Sequence, residues 1–237
     1  EIQIWLMENY NLDIPYKTVH KTVRYYLKSK LKTPRPSHIK KNEDEVRGFK
    51  ESLPEKISEI TDNTDIKVKI FSCDETRFGL ITSPGKRITL PGVRPVGLIQ
   101  RTFENYYIYG AADVSDGENF FLEFPNMNTD NFQCFISKLS EIFPDSINIM
   151  LTDNAAIHKA KRLIIPENIR LIFLPPYSPE LNPIERFWQY IKEDTKGKIF
   201  SGLHEMKDFA ANIMRKCSKK TIASLTGFSY ILNAINV

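Results

Sequence analysis

The sequence predicts an α/β domain, a mixed sheet with helices packed on it, and three observations carry that expectation. The segments IKVKIFSCDE (66–75), NYYIYGAADV (105–114) and NFFLEF (119–124) are rich in β-branched and aromatic residues, and the last two flank SDGE, a tight-turn signal, so together they form an antiparallel meander. Helical and strand-like patterns then alternate to about residue 192, as they do when helices cover a sheet. The composition of the 237 residues, 41% hydrophobic and 26% charged, excludes a disordered chain, and the 15 Phe, 10 Tyr and 2 Trp supply the bulk for one sizeable core.

Taken in order, Ile2, Trp5 and Leu6 suggest a short helix, and NYNLD makes a tight connection. Asp13 followed by Pro15 reads as a helix start, with Val19, Val23, Tyr26, Leu27 and Leu31 on one face and Lys17, Lys21, Arg24 and Lys28 on another. The pair has the form of a helix-turn-helix with residues 16–29 as its recognition helix, although a solvated amphipathic helix has the same spacing. TPRPSHIKKNEDE switches from basic to acidic and reads as a linker, before a helix over 43–60. Residues 66–75 form a strand ending in acids. After the meander, Phe132, Phe135, Ile136, Leu139 and Ile142 mark a helix over 129–143, Ile147, Ile149 and Leu151 a buried strand running into Asp153, residues 155–163 a short helix, and IRLIFL a further strand. Asn182 and Pro183 then open a helix with Ile184, Phe187, Trp188 and Ile191 inward.

Charge is unevenly divided. Residues 1–41 hold nine Lys or Arg against three acids, a net of +6, which leaves −2 for the remainder of a chain that totals +4. A basic head on a slightly acidic body is the asymmetry expected when one part holds a polyanion and another does chemistry with carboxylates. Cys73, Cys134 and Cys217 are odd in number and far apart, which fits neither a disulfide framework nor a zinc site and suits a reducing compartment. No apolar run approaches a membrane span, so a soluble intracellular protein is expected. The chain begins at Glu1 rather than Met, which points to something missing upstream.

Three acids fall at element ends: Asp74, Asp153 and, in the first turn of a helix, Glu185. Carboxylates so placed can converge at one sheet edge. An all-oxygen cluster repels itself unless a cation neutralises it, and it suits Mg²⁺ or Mn²⁺ better than zinc; two such ions support phosphoryl transfer. Each acid also has an innocent reading. Asp74 and Glu75 fit a turn after a strand, Asp153 fits a helix cap, and Glu185 follows Asn182 at capping-box spacing. Strand parity does not separate Asp74 from Glu75, and Glu180 rivals Glu185.

FSCDETRFGL, LTDNAAIHKA and, most specifically, LPPYSPELNPIERFWQYIK resemble the catalytic domain of DDE transposases of the mariner superfamily, in particular its bacterial insertion-sequence branch. The likeness extends through the RPSHIKK exit of the basic helix, the PGVRP turn and the closing LTGFSYILNAI, and so covers nearly the whole chain. It implies a ribonuclease-H-like sheet, with Asp74, Asp153 and Glu185 as catalytic residues and ligands of Mg²⁺ or Mn²⁺, as two ions. It also implies double-stranded DNA as partner, both transposon ends and target, a homodimer on that DNA, insertion at TA dinucleotides, and a cytoplasmic, nucleoid-associated protein of a prokaryote. The corresponding division is a partial helix-turn-helix over 1–33 with Lys17, Lys21, Arg24 and Lys28 on DNA, a linker and helix over 34–65, and the catalytic domain over 66–237. Asn154 and His158 are secondary candidates for orienting a phosphate or a ligand carboxylate, His158 being equally a structural histidine. Arg186 and Lys192 are candidates for phosphate contact, and Trp188 for the core.

Two features depart from the family. Thirty-one residues separate Asp153 from Glu185, fewer than in the eukaryotic branch, and KRITLPGVRP lacks the expected tryptophan before its PG turn. The function expected is cleavage at transposon ends and joining of the 3′-OH ends to target DNA. The alternatives are an inactive or domesticated DNA-binding relative, and a ribonuclease-H-like nuclease without strand transfer.

Overall fold

The computed structural model describes residues 1–30, 38–62 and 65–235. Two compact units divide at Ser37/His38. Leu31 and the stretch TPRPS of the expected linker lie outside the described residues.

In the first unit, α1 (Ile2–Tyr10) ends at Asn11, whose left-handed backbone (φ 52°) lets its N–H reach the Met7 carbonyl at 3.0 Å. Asp13 caps nothing: Pro15 occupies the N-cap of α2 (Tyr16–Lys21), and the chain continues through a π-helical turn over Thr22–Tyr26. The helix is therefore shorter than residues 16–29. Lys28 lies beyond its end in the left-handed region (φ 51°), so it does not continue the helical row of Lys17, Lys21 and Arg24. Of the expected apolar face, Val19 is buried, whereas Tyr26 and Leu27 are about 70% exposed.

The second unit is built on a five-stranded sheet of order β3-β2-β1-β4-β5. Strands β1 (Lys67–Gly79), β2 (Asn105–Asp113) and β3 (Asn119–Phe124) form the antiparallel meander, while β4 (Ser146–Thr152) and β5 (Ile169–Phe173) add parallel to β1. The β2–β3 turn contains Gly117 with φ 74°, as a tight hairpin requires. Between β1 and β2, residues 80–104 leave the sheet as an arm whose limbs bond at Leu80 N–H to Glu104 O (3.0 Å) and Thr82 N–H to Gln100 O (3.0 Å).

Alternation along β1 sorts the core. Phe71 and Cys73 face α4 (Thr129–Ile142), which buries Phe132, Phe135, Ile136 and Leu139 but leaves Ile142 outside. Ile70 packs on the other face with α3 (Glu43–Thr61), and further along Phe78 joins α5 (Ile184–Thr195), α6 (Leu203–Lys216) and α7 (Lys219–Thr226). Helix α8 (Ser229–Ile235) closes the first of these clusters through Ile231. Side-chain caps start the helices where the sequence supplies them: Asn42 accepts from the N–H groups of Asp44 and Glu45, and Asn128 from that of Asn131. The helix expected over 155–163 is reduced to a single 3₁₀ turn, Ala156–Lys159.

Strand β1 also runs past the point where the sequence ends it. Its parallel ladder to β4 stops at the pair Ser72–Leu151, but its antiparallel ladder to β2 continues through Asp74–Gly110 to Gly79–Asn105. Asp74 thus sits within a rigid central strand, just beyond the end of its β4 edge.

Candidate active site

Asp74, Asp153 and Glu185 line one cleft of about 410 Å³, together with Asn154, Asn182 and the Leu174–Pro179 segment. Asp74 comes from β1, Asp153 follows β4, and Glu185 lies in the first turn of α5. Parity resolves what the sequence left open, since Asp74 borders the cleft while Glu75 turns to the other face and meets His158. The rival Glu180 is engaged elsewhere, by Lys41 at 2.6 Å.

The placement of Glu185 rests on a lock between β1 and the start of α5. Ser72 Oγ–H donates to Asn182 Oδ1 (2.5 Å), Asn182 Nδ2 donates to the Cys73 carbonyl (2.8 Å), and the Ile184 N–H donates to Ser72 Oγ (2.9 Å). Asn182 is therefore spent on β1 rather than on a capping box with Glu185, and no side chain caps α5. Close approach of the helix needs Gly110, the cross-strand neighbour of Asp74, because a Cβ there would lie 2.5 Å from the Trp188 ring. Sequence reasoning missed Ser72 and Asn182 as positioning groups. The signal in the sequence was weak, a serine beside Phe71 and Cys73 in a strand that also carries charged residues.

The electrostatics of the cleft are unbalanced. Burial, then Glu185, Glu75 and Asp153, push the Asp74 carboxyl well above the usual carboxylate range. Burial also raises Glu185, against the opposing pull of Lys192. Asp153 is held low by its bond to His158 and by the Ala155 N–H. Burial works to lower His158, but its bonds to Asp153 and Glu75 outweigh that and bring it up to about 10. Among the described residues no three His, Cys, Asp or Glu side chains are drawn together into a set that would hold a metal ion. In donor chemistry the site still fits a hard cation: three carboxylates share a cleft and the innermost is disfavoured as an anion by its neighbours.

The remaining candidates separate by environment. Asn154 borders the cleft, donating through Nδ2 to the Leu174 carbonyl and accepting from Lys159. His158 is buried with both ring nitrogens on carboxylates, Asp153 at 2.9 Å and Glu75 at 3.0 Å. Trp188 is core, 1% exposed. Arg186 lies over the Phe228 ring at 4.4 Å, and Lys192 over that of Phe78 at 5.6 Å. Lys17, Lys21, Arg24 and Lys28 are exposed in the first unit. The three cysteines are free, and no described helix is long and apolar enough to cross a membrane.

A five-stranded mixed sheet of this order, flanked by helices, is the ribonuclease-H-like fold. Residues 69–207, more than half of the chain, match the family model of the DDE superfamily endonucleases, and the chain belongs to that family. A protein of Sinorhizobium fredii (strain NBRC 101917 / NGR234) described as uncharacterized protein y4pE/y4sA is 35% identical over 89 residues, covering 37% of this chain. The chain spans 66% of the length of that curated relative. Among solved structures, the Mos1 transposase paired-end complex with left transposon end superposes with a TM-score of 0.67 at 15% identity, over 99% of this chain and 74% of that one. The Mos1 mariner paired-end complex with Mn gives 0.68 at 16% identity over the same shares. The catalytic domain of Mos1 gives 0.55 at 12%, over 84% of this chain and 98% of that one. At these identities the likeness is one of fold.

Proposed function

We propose that the chain is a DNA transposase of the mariner superfamily, on its bacterial insertion-sequence branch, which cleaves phosphodiesters at transposon ends and joins the freed 3′-hydroxyls to target DNA. The observation that carries this reading is the shared cleft of Asp74, Asp153 and Glu185, three acids from distant elements within the family-matched stretch. Each step exchanges one oxygen at phosphorus for another by in-line attack, water in the first and the 3′-hydroxyl in the second, so positioning and charge neutralisation do the work.

The chain's own residues supply the positioning. Asp74 is fixed by ladder bonds in β1, Glu185 by the Ser72–Asn182 lock and the packing of Trp188 over Gly110, and Asp153 by His158. Lys192, two turns along α5, adds positive charge beside Glu185 and Asp74. Asp74, Asp153 and Glu185 would hold Mg²⁺ or Mn²⁺, as two ions, which supply the charge that offsets the transferring phosphate. Mos1 complexes have been solved with Mn and with Mg, which supports the same ions here.

In this reading residues 1–33 are a partial DNA-binding segment, 34–65 a connection and 66–237 the catalytic domain. Lys17, Lys21 and Arg24 contact the DNA backbone, with Lys28 as a separate contact past the helix end. Two copies hold two transposon ends, as the paired-end complexes of Mos1 suggest. The test is cleavage and joining of plasmid DNA carrying the sequences that flank the gene, in MgCl₂. Asp74→Asn, Asp153→Asn and Glu185→Gln each lose activity by about a thousandfold or more, roughly 4 kcal/mol in the barrier, with circular dichroism and DNA affinity retained. Full activity in all three rejects the reading. Removing Lys17, Lys21 or Arg24 weakens binding across sequences and lowers the salt slope by about one each.

A further inference from the structure

Glu75 presents an unusual placement for an acid. It follows Asp74 on β1, so the pleat turns it to the opposite face, where its side chain is 6% exposed against the α4 layer. A carboxylate there is costly unless it is bonded, and its partner is His158, whose Nε2 lies 3.0 Å from Glu75 Oε1. The ring is fully buried and packs on Phe132, centroids 4.3 Å apart. Its other nitrogen, Nδ1, lies 2.9 Å from Asp153 Oδ1, 3.2 Å from Thr152 Oγ1 and 3.3 Å from the Asp153 carbonyl. The Ala155 N–H donates to the same Asp153 oxygen at 2.9 Å. One strand thus carries both an acid of the cleft and, on its far face, the anchor of a chain that ends on another acid of the cleft.

We propose that Glu75 and His158 are positioning residues for Asp153. Glu75 fixes the imidazole, and the imidazole holds Asp153 Oδ1, so that Oδ2 is the oxygen offered to a divalent cation. This rests on the reading of Asp74, Asp153 and Glu185 as metal ligands. The need for such a device is physical. Asp153 stands past the end of β4 with its side chain 56% exposed, and an untethered aspartate there loses rotamer freedom each time it ligates. A carboxylate already held by hydrogen bonds has met that cost in folding, and outer partners of this kind commonly change metal affinity by 10–100-fold when removed. Phe132 over the ring and β1 beneath Glu75 leave the chain little room to shift, so the cleft acids Asp74 and Asp153 are coupled through Glu75 and His158 as well as through the β-ladder.

The experiment is Mn²⁺ binding alone to the full chain, read by the electron paramagnetic resonance of free Mn²⁺, with melting temperatures recorded in parallel and without DNA. Glu75→Ala and His158→Asn weaken Mn²⁺ binding 10–100-fold. Glu75→Gln, which keeps the shape and an acceptor oxygen, recovers part of the loss and serves if the alanine variant does not fold. Phe135→Leu, on the same core face but with its ring on Tyr109 and Phe120 rather than on His158, is the packing control and leaves Mn²⁺ affinity unchanged. Wild-type affinity in Glu75→Ala and His158→Asn overturns the proposal, as does an equal fall in Phe135→Leu at matched melting temperature. Asp153→Asn separates the two levels: wild-type Mn²⁺ affinity in that variant overturns the metal-site reading itself, whereas loss there with no effect at Glu75 and His158 overturns the positioning role alone.

Discussion

Two ends of the same sheet gather acids and treat them in opposite ways. Near the start of β1, Lys69 is 5% exposed and its Nζ meets Glu118 at 2.6 Å, Asp116 at 3.0 Å and Asp113 at 3.4 Å; Lys219 adds a second cation on Glu118 at 2.9 Å. Asp113, 1% exposed, also accepts from the Ser115 N–H (2.8 Å) and hydroxyl (2.5 Å). About five residues further along β1, Asp74, Asp153 and Glu185 share a cleft whose lining, among the described residues, holds no lysine or arginine, with His158 on Asp153 and Lys192 beside Glu185 acting from outside that lining. The first cluster gathers its acids around a resident cation and staples the β2–β3 turn to β1 and α7. The second leaves Asp74 disfavoured as an anion in a lining without a resident lysine or arginine, the condition under which an external cation binds. Counting acids does not distinguish the two; the resident counter-charge does.

That contrast can be broken at either end. The largest effect is expected from Lys69→Met, which strips the shared partner from three acids, one of them fully buried. Unfolding in urea should show a loss of about 3–5 kcal/mol, with Mg²⁺-dependent cleavage by the remaining folded protein unchanged. Gly110→Ala comes next. The new methyl meets the Trp188 ring and forces α5 outward, costing about 1–3 kcal/mol in stability and lowering the cleavage rate by moving Glu185, measured by denaturation and single-turnover kinetics. In metal-free protein, Asp74→Asn should raise the melting temperature slightly, because it removes a buried carboxyl whose charged form its neighbours disfavour. A lower melting temperature would place Asp74 with the acids of the Lys69 cluster instead.

The smallest effect concerns pH. Bonds to Lys69 and Lys219 hold the Glu118 carboxyl down at about 2. A group whose folded value is depressed contributes stability above its ordinary value of 4.5 and loses it as pH falls through the interval to about 2. With Glu118 partly exposed, solvent screening limits this to about 1 kcal/mol. Melting curves between pH 5 and pH 2 should show that component in the wild type and lack it in Glu118→Gln.

Local pattern carried much of the architecture. β-branched and aromatic runs flanking the SDGE turn located β2 and β3, and Ile184, Phe187, Trp188 and Ile191 defined the buried face of α5 as the structure has it. The misjudged features depend on a partner distant in sequence. β1 extends past Asp74 because β2 continues to pair with it, and the same pairing decides which of two adjacent acids faces the cleft. The Asn182 side chain bonds Ser72 and Cys73 across about 110 residues of chain, so its capping-box reading fails for a reason no window around it contains. Glu180 rivalled Glu185 as the third acid until Lys41 was brought beside it. In the first unit the helix ended before Lys28 through a change of backbone conformation rather than of pattern.

By itself, then, the sequence determined the sheet strands, the helices α3, α4 and α5 and which acids stand near their ends, because hydrophobic period and turn chemistry are local properties of the chain. Only the tertiary structure decided which carboxylates keep a counter-charge. Strand pairing and the close seat of α5 on Gly110 bring together groups more than a hundred residues apart, and Coulomb interaction depends on distance in space rather than along the chain.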